Sequence, residues 1–199
     1  MSSILRNPFW AIKKYHANIK RKKSSSKFVA VTGSSGKSTT VSLLAHIIEG
    51  TSLVKSQSLQ NTIGPLIKTL RRHQKKDLFV VAELGVGDKG QMAPMAEIFK
   101  PDVAILTMIG DEHYSSFRGK EGVFEEKSQL FHSLKSDGLA ILNGDDSFTM
   151  NIVENSLFRN VTFGRNNSNS DYIVQKINAS VTESLTFIIK NKKNKIRIH

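Results

Sequence analysis

The sequence contains no cysteine. That excludes disulfides, cysteine-ligated zinc and iron–sulfur clusters, and it fits a reducing, cytoplasmic setting. No apolar run approaches the ~20 residues that a membrane-crossing helix needs. The first residues are basic but lack an apolar core, so they do not read as a secretory signal. Acidic residues are missing from both ends. Residues 1–27 hold eight basic residues and no acidic one, and residues 184–199 hold five and none. The net charge of +12 therefore sits at the ends, and the middle is close to neutral. Such a distribution argues against a specific nucleic-acid partner; only the basic ends speak for one.

What is present suits a folded domain. Of 199 residues, 39% are hydrophobic and 23% charged, enough apolar material for one core. Two segments are expected: a basic N-terminal arm with its linker over 1–27, and a folded domain over 28–199. Residues 4–23 can form a short basic amphipathic helix after Pro8, with Phe9, Trp10, Ile12, Tyr15 and Ile19 apolar. That helix either lies on an anionic membrane surface, placing the chain at the inner face of the membrane, or is a solvated arm. Ser24-Ser25-Ser26 reads as a linker.

From Phe28 onward strands and helices alternate. Phe28–Val31, Leu78–Leu84, Val103–Ile109 and Leu139–Leu142 are apolar along their length. Ser38–Glu49, Gln91–Phe99 and Gly122–Leu134 carry apolar residues at helical spacing. Fully apolar strands separated by helices predict an α/β fold: a mostly parallel sheet with helices on both faces. Val161–Phe163, Tyr172–Ile177 and Leu185–Ile189 alternate more strongly and show no helix between them. They predict a few antiparallel edge strands near the C-terminus.

The sharpest local pattern is Thr32-Gly33-Ser34-Ser35-Gly36-Lys37-Ser38, between a strand and a helix. It is a P-loop of shortened form, with Val31 where the longer motif has glycine. Gly33 and Gly36 let backbone N–H groups close on phosphates, and the helix start adds its positive end. Ser34, Ser35 and Thr39 complete the phosphate-binding set. Lys37 can reach the β- and γ-phosphates of ATP, and the Ser38 hydroxyl is placed for Mg²⁺. Other polar groups follow the remaining strands: Glu83, the run Gly110-Asp111-Glu112-His113, and Asn143-Gly144-Asp145-Asp146. In an open parallel sheet all of these strand ends share one edge, where ligands bind.

The run TGSSGKSTT, then AELGVGDKGQM, LTMIGDEHYSSF, Lys127 and LNGDD, resembles the central ATPase domain of the Mur ligase family over residues 28–165. The segment Gln60–Pro65 is similar to an Asn-rich stretch in the branch of that family that joins a dipeptide to a nucleotide-linked peptide. The resemblance implies an ATP- and Mg²⁺-dependent carbon–nitrogen ligase of cell-wall peptidoglycan synthesis. A substrate carboxylate is phosphorylated, and an amino acid or dipeptide amine attacks the acyl phosphate. It further implies that Ser38 and Glu83 hold one Mg²⁺, and that His113 helps hold a second. Lys37, His113 and Lys127 are then the catalytic set. Lys127 matches a lysine that is carbamylated in the family and then supports a metal. Taken alone, Lys127 beside Glu125 and Glu126 reads equally as a solvated helix residue. Asn143 matches the residue facing adenine, and Thr107 and Asn61 are expected on the substrate side. Asp145 and Asp146 either join the site or only order their loop.

The family's nucleotide-gripping front domain and its closing C-terminal domain have no counterpart here. The resemblance thus implies that 28–199 is an ATP-binding domain, C-terminally incomplete, and a fragment or a shortened reading frame is expected. Two other functions compete: a nucleotide-binding module tethered to membrane without ligase activity, and a Mur-like ligase of another acidic peptide or polymer. His16, His73, His132 and His199 lie in basic or amphipathic stretches without partners, and His46 sits on the helix after the P-loop; all five are expected to be structural or surface residues.

Overall fold

The computed structural model describes residues 8–50, 52, 54–57, 62–111, 114–178, 186–191 and 195–198. Its strands in chain order are β1 (Lys27–Thr32), β2 (Val54–Gln57), β3 (Phe79–Glu83), β4 (Val103–Leu106), β5 (Leu139–Asn143), β6 (Arg159–Gly164), β7 (Tyr172–Asn178), β8 (Thr186–Asn191) and β9 (Lys195–Ile198). Its helices are α1 (Pro8–Lys23), α2 (Lys37–Glu49), α3 (Ile63–Arg72), α4 (Met92–Phe99), α5 (Tyr114–Phe117), α6 (Lys120–Ser128) and α7 (Ser147–Asn155).

The apolar run that opens the domain becomes an interior strand. Every residue of β1 after Lys27 is buried. β3 and β4 flank it in parallel. The described strands form one nine-stranded sheet, in the order β2-β3-β1-β4-β5-β6-β7-β8-β9. One face is built on Phe28, Ala30, Val80, Ala82, Ala104 and Leu106, covered by α1, α3, α4 and α6. The opposite face is built on Val29, Val31, Val81 and Ile105, packed against Val41, Leu44 and Ile48 of α2. Burial on both faces is why these strands carry almost no polar residue.

The structure departs from the sequence expectations in several places. β6, which contains Val161–Phe163, pairs with β5 in parallel, and β7 begins parallel to β6; antiparallel pairing starts only at β8. The crossover helix that makes this possible, α7, is poor in strong helix formers. Asp146 starts it by accepting the Phe148 N–H at 2.9 Å. The helix expected over Gly122–Leu134 divides into α6 and a 3-10 turn at Gln129–Ser133. β2 and α3 have no counterpart among the expected elements.

The N-terminal segment also differs from a solvated arm. Helix α1 packs against α3 and α4, with Ala17 fully buried. Arg21, 4% exposed, donates to the carbonyls of Phe99 and Lys100 and to Asp102 at 3.1 Å. Its guanidinium lies 3.7 Å from the centre of the Phe28 ring. Asp102 also accepts the Phe28 N–H at 2.8 Å and Lys135 Nζ at 2.6 Å. Burial pushes the Asp102 carboxyl upward, but the hydrogen bonds from Lys135 and Phe28, with the Arg21 charge, outweigh it and hold its pKa below the ordinary value. Ser24–Ser26 is a bonded corner: Ser26 Oγ donates to the Asp77 carbonyl. His73 has partners after all. Its Nδ1 lies 2.6 Å from the Leu70 carbonyl and its Nε2 3.1 Å from Ser24 Oγ. His132 Nδ1 likewise sits 3.1 Å from Gln129 Oε1.

Candidate functional site

The chain leaves β1 through α2 toward β2, on one side of the sheet, and leaves β3 through α4 toward β4, on the other. Strand order therefore switches direction beside β1. A crevice opens at the C-terminal ends of β1 and β4, the usual place for a ligand in such sheets. The loop Gly33–Gly36 sits at that crevice.

Two glycines shape the loop for different reasons. At Gly33, φ is +140°, and an added Cβ would lie 1.9 Å from Thr107 Oγ1. The loop is pressed against the β4 exit, and only glycine fits. At Gly36, φ is +80°, and an added Cβ would meet nothing within 4 Å. Gly36 lies against open space immediately before the first turn of α2, which holds no acidic residue. That concavity and the exposed helix start form an anion cradle.

Neighbouring loops lock the cradle from the side. The Ser34 N–H donates to the Met108 carbonyl at 2.8 Å, and Ser34 Oγ accepts the Gly110 N–H at 2.8 Å. Thr107 Oγ1 donates to the Ser35 carbonyl at 2.6 Å. Asn143 Nδ2 donates to the Thr107 carbonyl at 2.9 Å, and Asn143 Oδ1 accepts the Asp145 N–H at 3.0 Å. Asp146 Oδ2 accepts the Ile109 N–H at 2.6 Å. Asp145 accepts the N–H groups of Arg165, Asn166 and Asn167. Desolvation pushes its carboxyl up, yet these three bonds and the Arg165 charge together outweigh it and hold its pKa below the ordinary value. Both aspartates thus order loops, and Thr107 supports the phosphate loop directly.

Three charged side chains converge on this frame. Lys37 Nζ lies 3.3 Å from the Ser34 carbonyl, folded over the loop. Ser38 Oγ donates to Glu83 Oε2 at 2.6 Å, with Glu83 only 4% exposed at the end of β3. Lys127 is 1% exposed, and its Nζ donates to the Gly33 carbonyl at 3.0 Å, so the solvated reading of this lysine falls. Ser38 and Glu83 supply two hard oxygens, the donor type Mg²⁺ takes when substrate phosphates complete its shell. Among the described residues no group of three or more His, Cys, Asp or Glu is placed to hold a metal ion by itself. Asn61 and His113 lie outside the described residues.

One residue that sequence reasoning missed is Glu126. Its carboxylate, 7% exposed, accepts the N–H groups of Gly90 and Met92, each at 2.7 Å. It holds the start of α4 and fixes α6, the helix that carries Lys127. The two ends are 34 residues apart in sequence, and no local pattern announces the bond.

Comparison with known proteins identifies the family and the fold. Residues 31–199 match the Mur ligase middle domain. The chain is 30% identical over 169 residues to the UDP-N-acetylmuramoyl-tripeptide–D-alanyl-D-alanine ligase of Bacillus subtilis, covering 83% of this chain and 35% of that protein. In fold it is similar to the crystal structure of MurF from Acinetobacter baumannii, with a TM-score of 0.86 at 24% identity, covering 94% of this chain and 41% of that one. It is also similar to MurF ligase from Thermotoga maritima in complex with ADP, with a TM-score of 0.81 at 21% identity, covering 94% and 43%. The chain thus spans between a third and a half of the length of these relatives. With the family's middle domain matched across most of its length, this chain belongs to the Mur ligase family.

Proposed function

We propose that this chain is the phosphate-handling core of an ATP-dependent ligase that joins an amino-acid or dipeptide amine to the carboxylate of a nucleotide-linked peptide; its relatives' names give a UDP-linked tripeptide and D-alanyl-D-alanine. The observation that carries the reading is the convergence of Ser38, Glu83 and Lys127 on a single phosphate loop. A relative of the same fold is known in complex with ADP, which supports an adenine nucleotide as the ligand.

The residues divide the work. The loop N–H groups and the start of α2 bind the phosphate chain. Lys37 would swing from the Ser34 carbonyl to the γ-phosphoryl group and neutralise charge as it transfers. The acid's carboxylate oxygen attacks the γ-phosphorus, the bond to the β-phosphate oxygen breaks, and ADP leaves. The amine nitrogen then attacks the acyl carbon and loses a proton, and phosphate departs. Mg²⁺, held by Ser38 and Glu83, would supply charge neutralisation on the phosphates; His113 and Lys127 would serve a second ion. For that role the Lys127 amine takes up carbon dioxide, forming an N–C bond and releasing a proton, and becomes an anion. Asn143, with its amide pinned at both ends, would offer adenine its planar face.

The test is nucleotide binding, measured by titration calorimetry with a non-hydrolysable ATP analogue, with and without Mg²⁺. Lys37→Ala should lower affinity at least ~10-fold, as expected for a lost charge-assisted phosphate contact of ~1.5–3 kcal/mol. Glu83→Ala should leave Mg²⁺-free affinity near that of the parent and abolish the gain that Mg²⁺ brings. Unchanged affinity in Lys37→Ala, or a full Mg²⁺ effect in Glu83→Ala, overturns the reading.

A further inference from the structure

Docking of α1 on the body of the fold leaves part of that helix turned outward. Ala17 and Arg21 face inward. Ile12, Tyr15 and Ile19, spaced by three and four, form a stripe on the opposite side. Ile12 is 56% and Tyr15 64% exposed. An amphipathic helix that had merely docked would have spent its apolar residues on the core; this one keeps an apolar ridge of Ile12 and Tyr15 in solvent, with Ile19 half-buried beside them.

The ground beside the ridge is strongly basic, and half of it comes from elsewhere in the chain. α3 runs alongside α1, and Lys20 Nζ donates to the Arg71 carbonyl at 2.6 Å. Two hollows lie along their seam. One, of about 490 Å³, is lined by Lys13, Lys68, Arg71 and Arg72 with backbone and Ile67. The other, of about 680 Å³, is lined by Lys20, Lys23 and Lys75 with His16 and Ile19. Among the described residues neither hollow has an acidic side chain in its lining. The basic end of this face lies where α1 enters β1 and α3 leads toward β3, at the N-terminal edge of the sheet. The phosphate loop lies at the C-terminal edge.

We propose that the α1–α3 face docks on an anionic lipid bilayer. The apolar ridge enters the headgroup boundary while the flanking lysines and arginines meet acidic headgroups. Polyanions such as nucleic acid would use the charge but leave the ridge unburied. Because the nucleotide crevice is at the far edge of the sheet, a docked molecule keeps it open to solutes. The proposal stands apart from the ligase reading.

Flotation of the full chain with phosphatidylcholine vesicles, with and without about 30% phosphatidylglycerol, tests it at about 0.1 M salt. The chain should float with the anionic vesicles only. Lys68→Glu/Arg71→Glu/Arg72→Glu, which leaves residues 1–27 untouched, should cut partition at least ~10-fold, given the usual contribution of each basic residue at such a surface. Ile12→Ser/Tyr15→Ser should also lower it several-fold at constant charge. All five positions are exposed, and an unchanged urea midpoint verifies each fold. Absence of flotation, full binding by the α3 variant, or unchanged binding by the ridge variant with equal competition from an oligonucleotide overturns the proposal.

Discussion

Replacing Asp102 by alanine should be among the most damaging single changes outside the crevice. Arg21, the Phe28 N–H and Lys135 hydrogen-bond to its carboxylate from distant parts of the chain, and the exposed Lys27 Nζ lies 4.0 Å from it. Lys135 is 40% exposed and can turn to water. Arg21, at 4%, cannot. Removing the partner of a buried charge costs about 3–5 kcal/mol, and the orphaned Phe28 N–H adds about 1. A loss of about 4–6 kcal/mol consumes much of the stability of an ordinary domain. With a urea slope of about 2 kcal/mol/M, the unfolding midpoint should fall by about 2–3 M. Arg21→Met should cost far less, because it removes the buried charge while its stem can still cover Phe28. The pair Arg21→Met/Asp102→Asn should therefore be more stable than Asp102→Ala alone. Equilibrium urea unfolding followed by circular dichroism measures all three. A midpoint shift under about 0.5 M for Asp102→Ala would refute the argument, as would a double variant no better than that single one.

Two further outcomes follow from the same reasoning. Gly33→Ala should destabilise the fold and lose nucleotide, since its Cβ collides with Thr107, whereas Gly36→Ala should cost only the ~1–2 kcal/mol of a left-handed alanine yet still weaken nucleotide binding by filling the cradle; equal stability losses in urea would contradict this. Burial lowers the His73 pKa against the opposing pull of the Leu70 carbonyl. Between the lowered value and the ordinary one near 6.5, the unfolded chain binds the proton more readily. Stability should thus be complete above about pH 6.5 and fall as pH drops toward the folded value, and His73→Gln should remove that part of the slope; parallel stability–pH curves would count against it.

How much was legible in the sequence depended on whether the cause was local. β1, β3, β4 and β5 announce themselves because burial on both faces demands unbroken apolar runs. The phosphate loop is legible because its glycines and its Lys-Ser pair are contiguous. β2 is short and half polar, VKSQ, so no pattern marks it. α7 depends on one cap rather than on helix-forming residues, so its absence from the reading turned a parallel strand into an expected antiparallel one. Lys127 sits beside two glutamates in sequence, yet one of them, Glu126, turns away to hold α4, and the lysine points beneath Gly33. Neither direction is encoded within a helical turn. The basic patch is the same kind of case: the sequence shows a basic N-terminus, but only packing places Lys68, Arg71 and Arg72 beside it.

The central place of β1 also bears on how the chain is made. β1 leaves the ribosome well before either of its neighbours in the sheet, β3 and β4. At ~5–20 residues per second, the roughly 70 residues between Thr32 and Leu106 take about 4–15 s to appear. For those seconds the run FVAVT is a sticky segment without a partner. The phosphate loop cannot hold its shape until Thr107 and Met108 arrive to brace it. Nucleotide can therefore bind only after Thr107 and Met108 have been synthesised, and nascent chains stalled before Leu106 should be clients of the cell's holdases rather than binders of ATP.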